Sequence, residues 1–143
     1  MFTIKVCEEI KSPASAVFLF AGDYVNDPTW RHGVSEMKYE GGSSAAAGVR
    51  TVETMRSFGS KAVTTAVITD YSEARTAFRS ISGPVACEGS REFVAINDGT
   101  RFCYSLTLRP EGFLRLVEPI LKMVFMRQVI GDVQRLKVLL EQR

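Results

Sequence analysis

Apolar and polar residues alternate along most of this chain, and near the C-terminus the alternation gives way to a longer period. Phe2, Ile4 and Val6 alternate with polar neighbours, which predicts a half-buried first strand. Ser12-Pro13 then opens a helix, with Ser12 as the cap and proline at the first helical position. Val17, Phe18 and Phe20 form its buried side. Asn26-Asp27-Pro28 marks a turn or helix end, and Trp30 follows directly. A second strand is predicted over Val34–Tyr39, and further strands over Val49–Ser57, Ala62–Thr69, Thr76–Ile81, Cys87–Ile96 and Arg101–Leu108. Asn97-Asp98-Gly99 joins the last two as a hairpin, and Gly41 to Gly48 is a loop tip. In the final strand Phe102, Tyr104, Leu106 and Leu108 share one face, whereas Arg101, Cys103, Ser105, Thr107 and Arg109 share the other. That is the pattern of an antiparallel sheet with one dry face and one wet one.

From Phe113 to Gln142 the period is helical. Leu114, Val117, Leu121, Val124, Phe125, Val129, Leu136, Leu139 and Leu140 fall on one broad face. Pro119 lies inside this pattern, so it kinks the helix or sets the stretch before it apart as a separate turn. A helix this long and apolar requires a large concave partner, and a curved sheet supplies one. Gln128 and Asp132 fall within the apolar face one turn apart, which suggests that part of the partner surface is a cavity. The order of elements therefore describes a container.

Composition narrows the class. The 143 residues suit one domain spanning 1–143, long enough for a core without staples. The net charge of +2 is spread along the chain with no basic block, which argues against nucleic acid as a partner. Cys7, Cys87 and Cys103 are odd in number and far apart, which fits a reducing compartment and argues against a disulfide framework or structural zinc. No signal-peptide stretch and no spanning segment are present, so the chain reads as cytoplasmic, with no integral membrane association.

A set of short motifs occurs in a fixed order: Ser12-Pro13 with Val17 and Phe18, then Asp23-x-x-Asn26-Asp27-Pro28-x-Trp30. Ser82-Gly83-Pro84, Phe93, Gly99-Thr100-Arg101, and Leu114 to Leu140 with Pro119, Gln128 and Leu136-Lys137 come after. Taken together these resemble the START-like, helix-grip superfamily, and within it the polyketide cyclase/dehydrase and lipid transport branch. The resemblance implies an α+β helix-grip fold: a curved antiparallel sheet of about seven strands around a long C-terminal helix, with two short helices after the first strand. It also implies a mostly apolar tunnel between sheet and helix, for which no cofactor is expected.

Several residues are candidates for lining that tunnel. Trp30 either stacks on a ligand or plugs the gap between the short helices and the sheet. Tyr104, in phase with Phe102 and Leu106, points inward, where its hydroxyl orients a ligand or bonds the backbone. Arg91 shares its phase with Cys87 and Phe93, so a regular strand places it on the inner face; a bulge would turn it to solvent. An inward arginine requires a carboxylate, either Asp132 or an acidic ligand. Gln128 and Asp132 either bond a ligand or sit wet at the helix exit. The aromatic set Phe58, Phe78, Phe93 and Phe102 is mostly core, with part of it lining the cavity. Val117, Leu121, Val124 and Phe125 supply the helix side.

Chemistry is sparse. His32 is the lone histidine, in a loop after Trp30; no nucleophile elbow, metal-ligand spacing or phosphate loop occurs. The leading expectation is a binding protein for a small hydrophobic, lipid-, polyketide- or aromatic-like ligand. The alternative is a cyclase, aromatase or dehydratase using polar cavity residues, with Asp132 and Tyr104 as its acid/base groups. A third reading is an interaction protein with a vestigial cavity, and an exposed edge strand would offer a homodimer contact.

Overall fold

The computed structural model describes every residue except Phe58 and the side chain of Ser57, so Phe58 of the aromatic set lies outside the described residues. The chain runs β1 (Phe2–Ile10), α1 (Ala14–Ala21), a 3₁₀ turn at Tyr24–Asn26, and α2 (Asp27–Trp30). The strands β2 (Val34–Tyr39), β3 (Arg50–Ser57), β4 (Ser60–Tyr71), β5 (Arg75–Ser82), β6 (Ala86–Ile96) and β7 (Gly99–Arg109) follow, then α3 (Phe113–Leu116) and α4 (Glu118–Glu141). All seven strands form one antiparallel sheet in the order β1-β7-β6-β5-β4-β3-β2. The alternation thus located every strand, although β4 extends further at both ends than its apolar run.

Local chemistry explains the joints. The register shifts between Val34 and Glu36 in β2, and twice along the β4–β5 pairing, at Ile81 of β5 and at Thr69 of β4. Such bulges add twist and bend the sheet toward its concave side. Gly99 begins β7 with φ +154, and a Cβ there would collide with the carbonyl of Ile10, so only glycine lets the β6–β7 hairpin press against the end of β1. Pro13 takes an extended conformation at the cap of α1, one residue before the helix, and the Ser12 side chain makes no capping bond. The Ser12 carbonyl instead accepts a hydrogen bond from the Thr100 hydroxyl at 2.7 Å. Pro119 stands in the first turn of α4, where its missing N–H leaves no gap, and α3 becomes the separate turn.

The concave face carries the core. Ile4, Phe102, Tyr104, Leu106 and Leu108 of β1 and β7 meet Val129, Val133, Leu136 and Leu140 of α4, all buried. Burying each such aliphatic side chain contributes about 1.5–3 kcal/mol relative to leaving it wet. Polar contacts align the same region: Glu8 of β1 accepts from Lys137 at 3.2 Å and from Gln134 at 2.7 Å. On the convex face the reading of the cysteines is overturned. Cys7 and Cys103 form a disulfide, because β1 and β7 are adjacent and their register sets these two outward residues opposite each other. Their separation of 96 residues concealed that pairing in the sequence. Cys87 stays a free thiol. No helix among the described residues is long and apolar enough to cross a membrane.

Candidate functional site

The interior of the sheet is not filled throughout. A cavity of about 130 Å³ lies on the concave side, bounded by β2 to β7, the Tyr24–Arg31 segment and Phe125 of α4. That volume suits about four waters, or one molecule the size of benzene in their place. Its existence follows from side-chain size. The inner face of β4 carries Ala62, Thr64 and Ala66, too small to reach α4, and opposite them stand Met37 of β2 and Met55 of β3. Phe78 of β5 reaches into the cavity wall over Gly89 of β6, where a Cβ would come within 2.8 Å of its ring. Leu106 and Leu108 of β7 and Val85, before β6, complete the apolar wall.

The cavity has a charged side. Arg91 is fully buried and points inward, so β6 has no bulge there. Its partner is not Asp132, as one sequence alternative had it, but Asp27, the first residue of α2. The Arg91 Nη1 and Nη2 groups donate to Asp27 Oδ1 and Oδ2 at 2.9 and 2.7 Å, and Nη1 also donates to the Ala21 carbonyl at 2.8 Å. Asp27 is fully buried too, and its Oδ2 accepts from Arg31 Nη1 at 3.0 Å, one helical turn on. Arg31 in turn donates to Glu53 Oε2 of β3 at 2.6 Å. The Arg91 guanidinium lies 4.4 Å from the Tyr24 ring centre, 5.0 Å from Trp30 and 5.2 Å from Tyr104, an aromatic enclosure that stabilises a desolvated cation.

Burial by itself would lower the pKa of Arg91. Asp27, with Tyr24 and Tyr104, outweighs that, and the guanidinium is held above its ordinary value. Arg31 behaves the same way, with burial opposed chiefly by Glu53. The Nε–H groups of both arginines are buried without a hydrogen-bond partner among the described residues.

Of the residues expected at the tunnel, Phe78, Arg91, Leu106 and Phe125 line the cavity. Trp30, Phe93, Phe102 and Tyr104 are buried beside it without lining it. Trp30 meets Phe102 and Tyr104 nearly edge-on at 6.2 and 6.0 Å, which is the plug alternative. Leu121 packs at the core margin, and Val117 is half-buried just before α4. Val124 is 51% exposed, because Phe125 takes the inward position and one residue of helix turns Val124 away.

Gln128 and Asp132 do face inward, toward backbone. Gln128 Nε2 donates to the His32 carbonyl at 3.0 Å, and Asp132 Oδ1 accepts from the His32 N–H at 2.9 Å. Arg135 Nη1 donates to Asp132 and to the Trp30 carbonyl at 3.2 and 2.7 Å. These three side chains clamp the segment after α2 onto α4, and Asp132 is buried rather than wet. Burial raises the pKa of Asp132, opposed mainly by the His32 N–H and Arg31.

The sequence reading missed Arg31 and Glu53 at the charged side and the small residues of β4. A visible signal existed for the latter: three small side chains in a row at alternate positions leave space on a concave face. For Arg31 and Glu53 there was none, since their partner lies on another element. Among the described residues no group of three or more histidine, cysteine, aspartate or glutamate side chains converges as metal ligands would.

Comparison with known proteins bears on the fold and the family. The chain superposes on a crystal structure of a Thermus thermophilus protein with a TM-score of 0.81 at 19% identity, over 95% of this chain and 94% of that one. It superposes on the Zhui aromatase/cyclase of a Streptomyces species with a TM-score of 0.80 at 14% identity, over 99% and 94%. A START superfamily protein from Mycobacterium smegmatis gives 0.76 at 14% identity, over 98% and 97%. At these identities the likeness establishes the helix-grip fold alone. No curated protein sequence matches the chain significantly. The sequence profile described as polyketide cyclase/dehydrase and lipid transport matches residues 1–141, so the chain belongs to that family.

Proposed function

We propose that this protein binds a small hydrophobic molecule in the cavity between the sheet and α4. One observation carries the reading: a mostly apolar space of about 130 Å³ persists inside an otherwise packed concave face, with Arg31, Glu53 and Arg91 as the charged side chains of its wall. Apolar walls with few polar groups are the usual composition of a ligand site. The lipid transport element of the family description agrees with it. The enzymatic alternative has less support, because Asp132 and Tyr104, its acid/base candidates, do not line the cavity. The cytoplasmic expectation rested partly on unpaired cysteines, and the Cys7–Cys103 bond removes that support.

Native mass spectrometry of freshly purified protein, followed by denaturing extraction, tests the proposal. An apolar molecule at one per chain is expected, and filling the space with Ala62→Phe should abolish its retention while the fold survives. A clean unliganded mass, together with no uptake of added apolar probes, would sink it.

A further inference from the structure

Helix α4 is apolar on two sides over its first half. Leu121, Phe125 and Val129 face the sheet, and Phe125 forms part of the cavity wall. Ile120, Met123, Val124 and Ile130 recur on the opposite side, at the spacing of a second helix face, and all four are exposed. The turn before them adds Phe113 and Leu116 of α3, 74% and 80% exposed. A helix apolar all round belongs in an interior, and clustered apolar side chains on a surface mark a contact with something else.

Cations stand among these side chains. Arg115, Lys122 and Arg127 are exposed, and none of them is in an ion pair among the described residues. Of the two acids in the same stretch, Glu118 is taken up by the Met1 amino group at 2.6 Å, and Glu111 stands at the edge, before α3. Apolar side chains interleaved with unpaired cations on a surface helix match the boundary of an anionic bilayer. There the apolar groups enter the acyl region and the cations meet phosphate. A second copy of the chain fits this face less well, since a two-fold contact through it would bring the cations together.

We infer that α3 and the first half of α4 form a docking surface for an anionic lipid bilayer. Phe113, Leu116, Ile120 and Met123 enter the interface, and Arg115, Lys122 and Arg127 contact the headgroup phosphates. The surface lies at the cavity end of the sheet. Phe125 packs against Phe2 at the start of β1, ring centres 6.5 Å apart, and Met55, Ala62, Val85 and Leu108 line the cavity at that end. Docking therefore sets the cavity end against lipid, and it does not require a ligand inside.

Flotation of the full chain with two kinds of vesicle tests the inference: phosphatidylcholine alone, and phosphatidylcholine with phosphatidylglycerol in equal parts. Partition into the mixed vesicles is expected, weaker by at least about tenfold on the neutral ones, since each cation near an anionic surface contributes about fivefold. Leu116→Ser combined with Ile120→Ser should reduce partition into the mixed vesicles by at least about tenfold. Circular dichroism and Tm should not change in that variant, because both side chains are already exposed. Met123→Trp reports depth: its emission should shift to the blue on the mixed vesicles, over the constant signal of the buried Trp30. No partition into the mixed vesicles, undiminished partition of the double variant, or an unshifted Met123→Trp emission would each overturn the inference. Self-association in sedimentation velocity that the double variant abolishes, without vesicle binding, would overturn it by assigning the face to a second copy. A chain that partitions with an empty cavity would sink the proposed function and uphold this inference.

Discussion

Two parts of the same concave face are built on opposite terms. Under the C-terminal half of α4, Ile4, Phe102, Val133, Leu136 and Leu140 interlock, with the buried Asp132 turned to the His32 backbone and the ion pair from Glu8 to Lys137 at the margin. Toward β3 and β4 the face holds small residues, a cavity, and the Asp27, Arg31, Glu53 and Arg91 network. The first region has the arrangement that yields most stability, apolar area removed from water at close packing. The second contains what folding by itself would avoid, an unfilled space and fully desolvated charges. Replacing a buried ion pair by apolar residues of similar volume is commonly neutral or stabilising. The charges are thus poorly explained by stability, and a binding role explains both the space and its polarity. Helix α4 serves both regions: its C-terminal half is held by the core, and its N-terminal half contributes Phe125 to the cavity wall while Ile120, Met123 and Val124 stay exposed.

The largest expected effect breaks the charged region. Asp27→Ala strands Arg91 in an apolar surround and should cost about 3–5 kcal/mol in denaturant unfolding. A loss under one kcal/mol would mean that water reaches the site and that the network is not buried as described. Leu136→Ala attacks the packed region. It should cost about 2–5 kcal/mol, through lost transfer energy and the void left behind.

Alkaline titration reads the boundary between the regions, since Tyr24 and Tyr104 enclose Arg91. Burial raises both phenol pKa values above the ordinary 10.0, with Arg31 and Arg91 opposing it at Tyr104 and Arg91 at Tyr24. The folded state therefore holds phenol protons that the unfolded chain has released. The stability so conferred is complete below pH 10.0 and is lost as pH rises through the folded values. Tm should fall steeply above that pH, and Tyr104→Phe should flatten the fall; equal slopes in the two proteins would exclude Tyr104 as a contributor. The smallest effect belongs to the exposed half of α4, where Val124→Ala should stay within about 0.5 kcal/mol of wild type. A larger loss there would show that this face is covered in solution.

Much of the architecture was legible because strand alternation and helical period are local properties. Every strand followed from spacing alone, whereas the structure chose between a kink and a separate turn at Pro119 and between an inward and a bulged Arg91. The site was legible only in part. That Arg91 needed a carboxylate was a matter of elementary electrostatics, yet the choice between Asp27 and Asp132 was not, because it depends on how α2 packs across β6. Gln128 and Asp132 looked like cavity residues since the period sets them inward, but inward there means against the His32 backbone.

The sequence by itself determined the order and type of the elements and the apolar face of α4, since each depends on residues a few positions apart. Only the tertiary structure decided which strands became neighbours, hence the Cys7–Cys103 bond, the partner of Arg91 and the place of the cavity. Those features join residues tens of positions apart, and no local periodicity records which distant surfaces meet when a sheet curls.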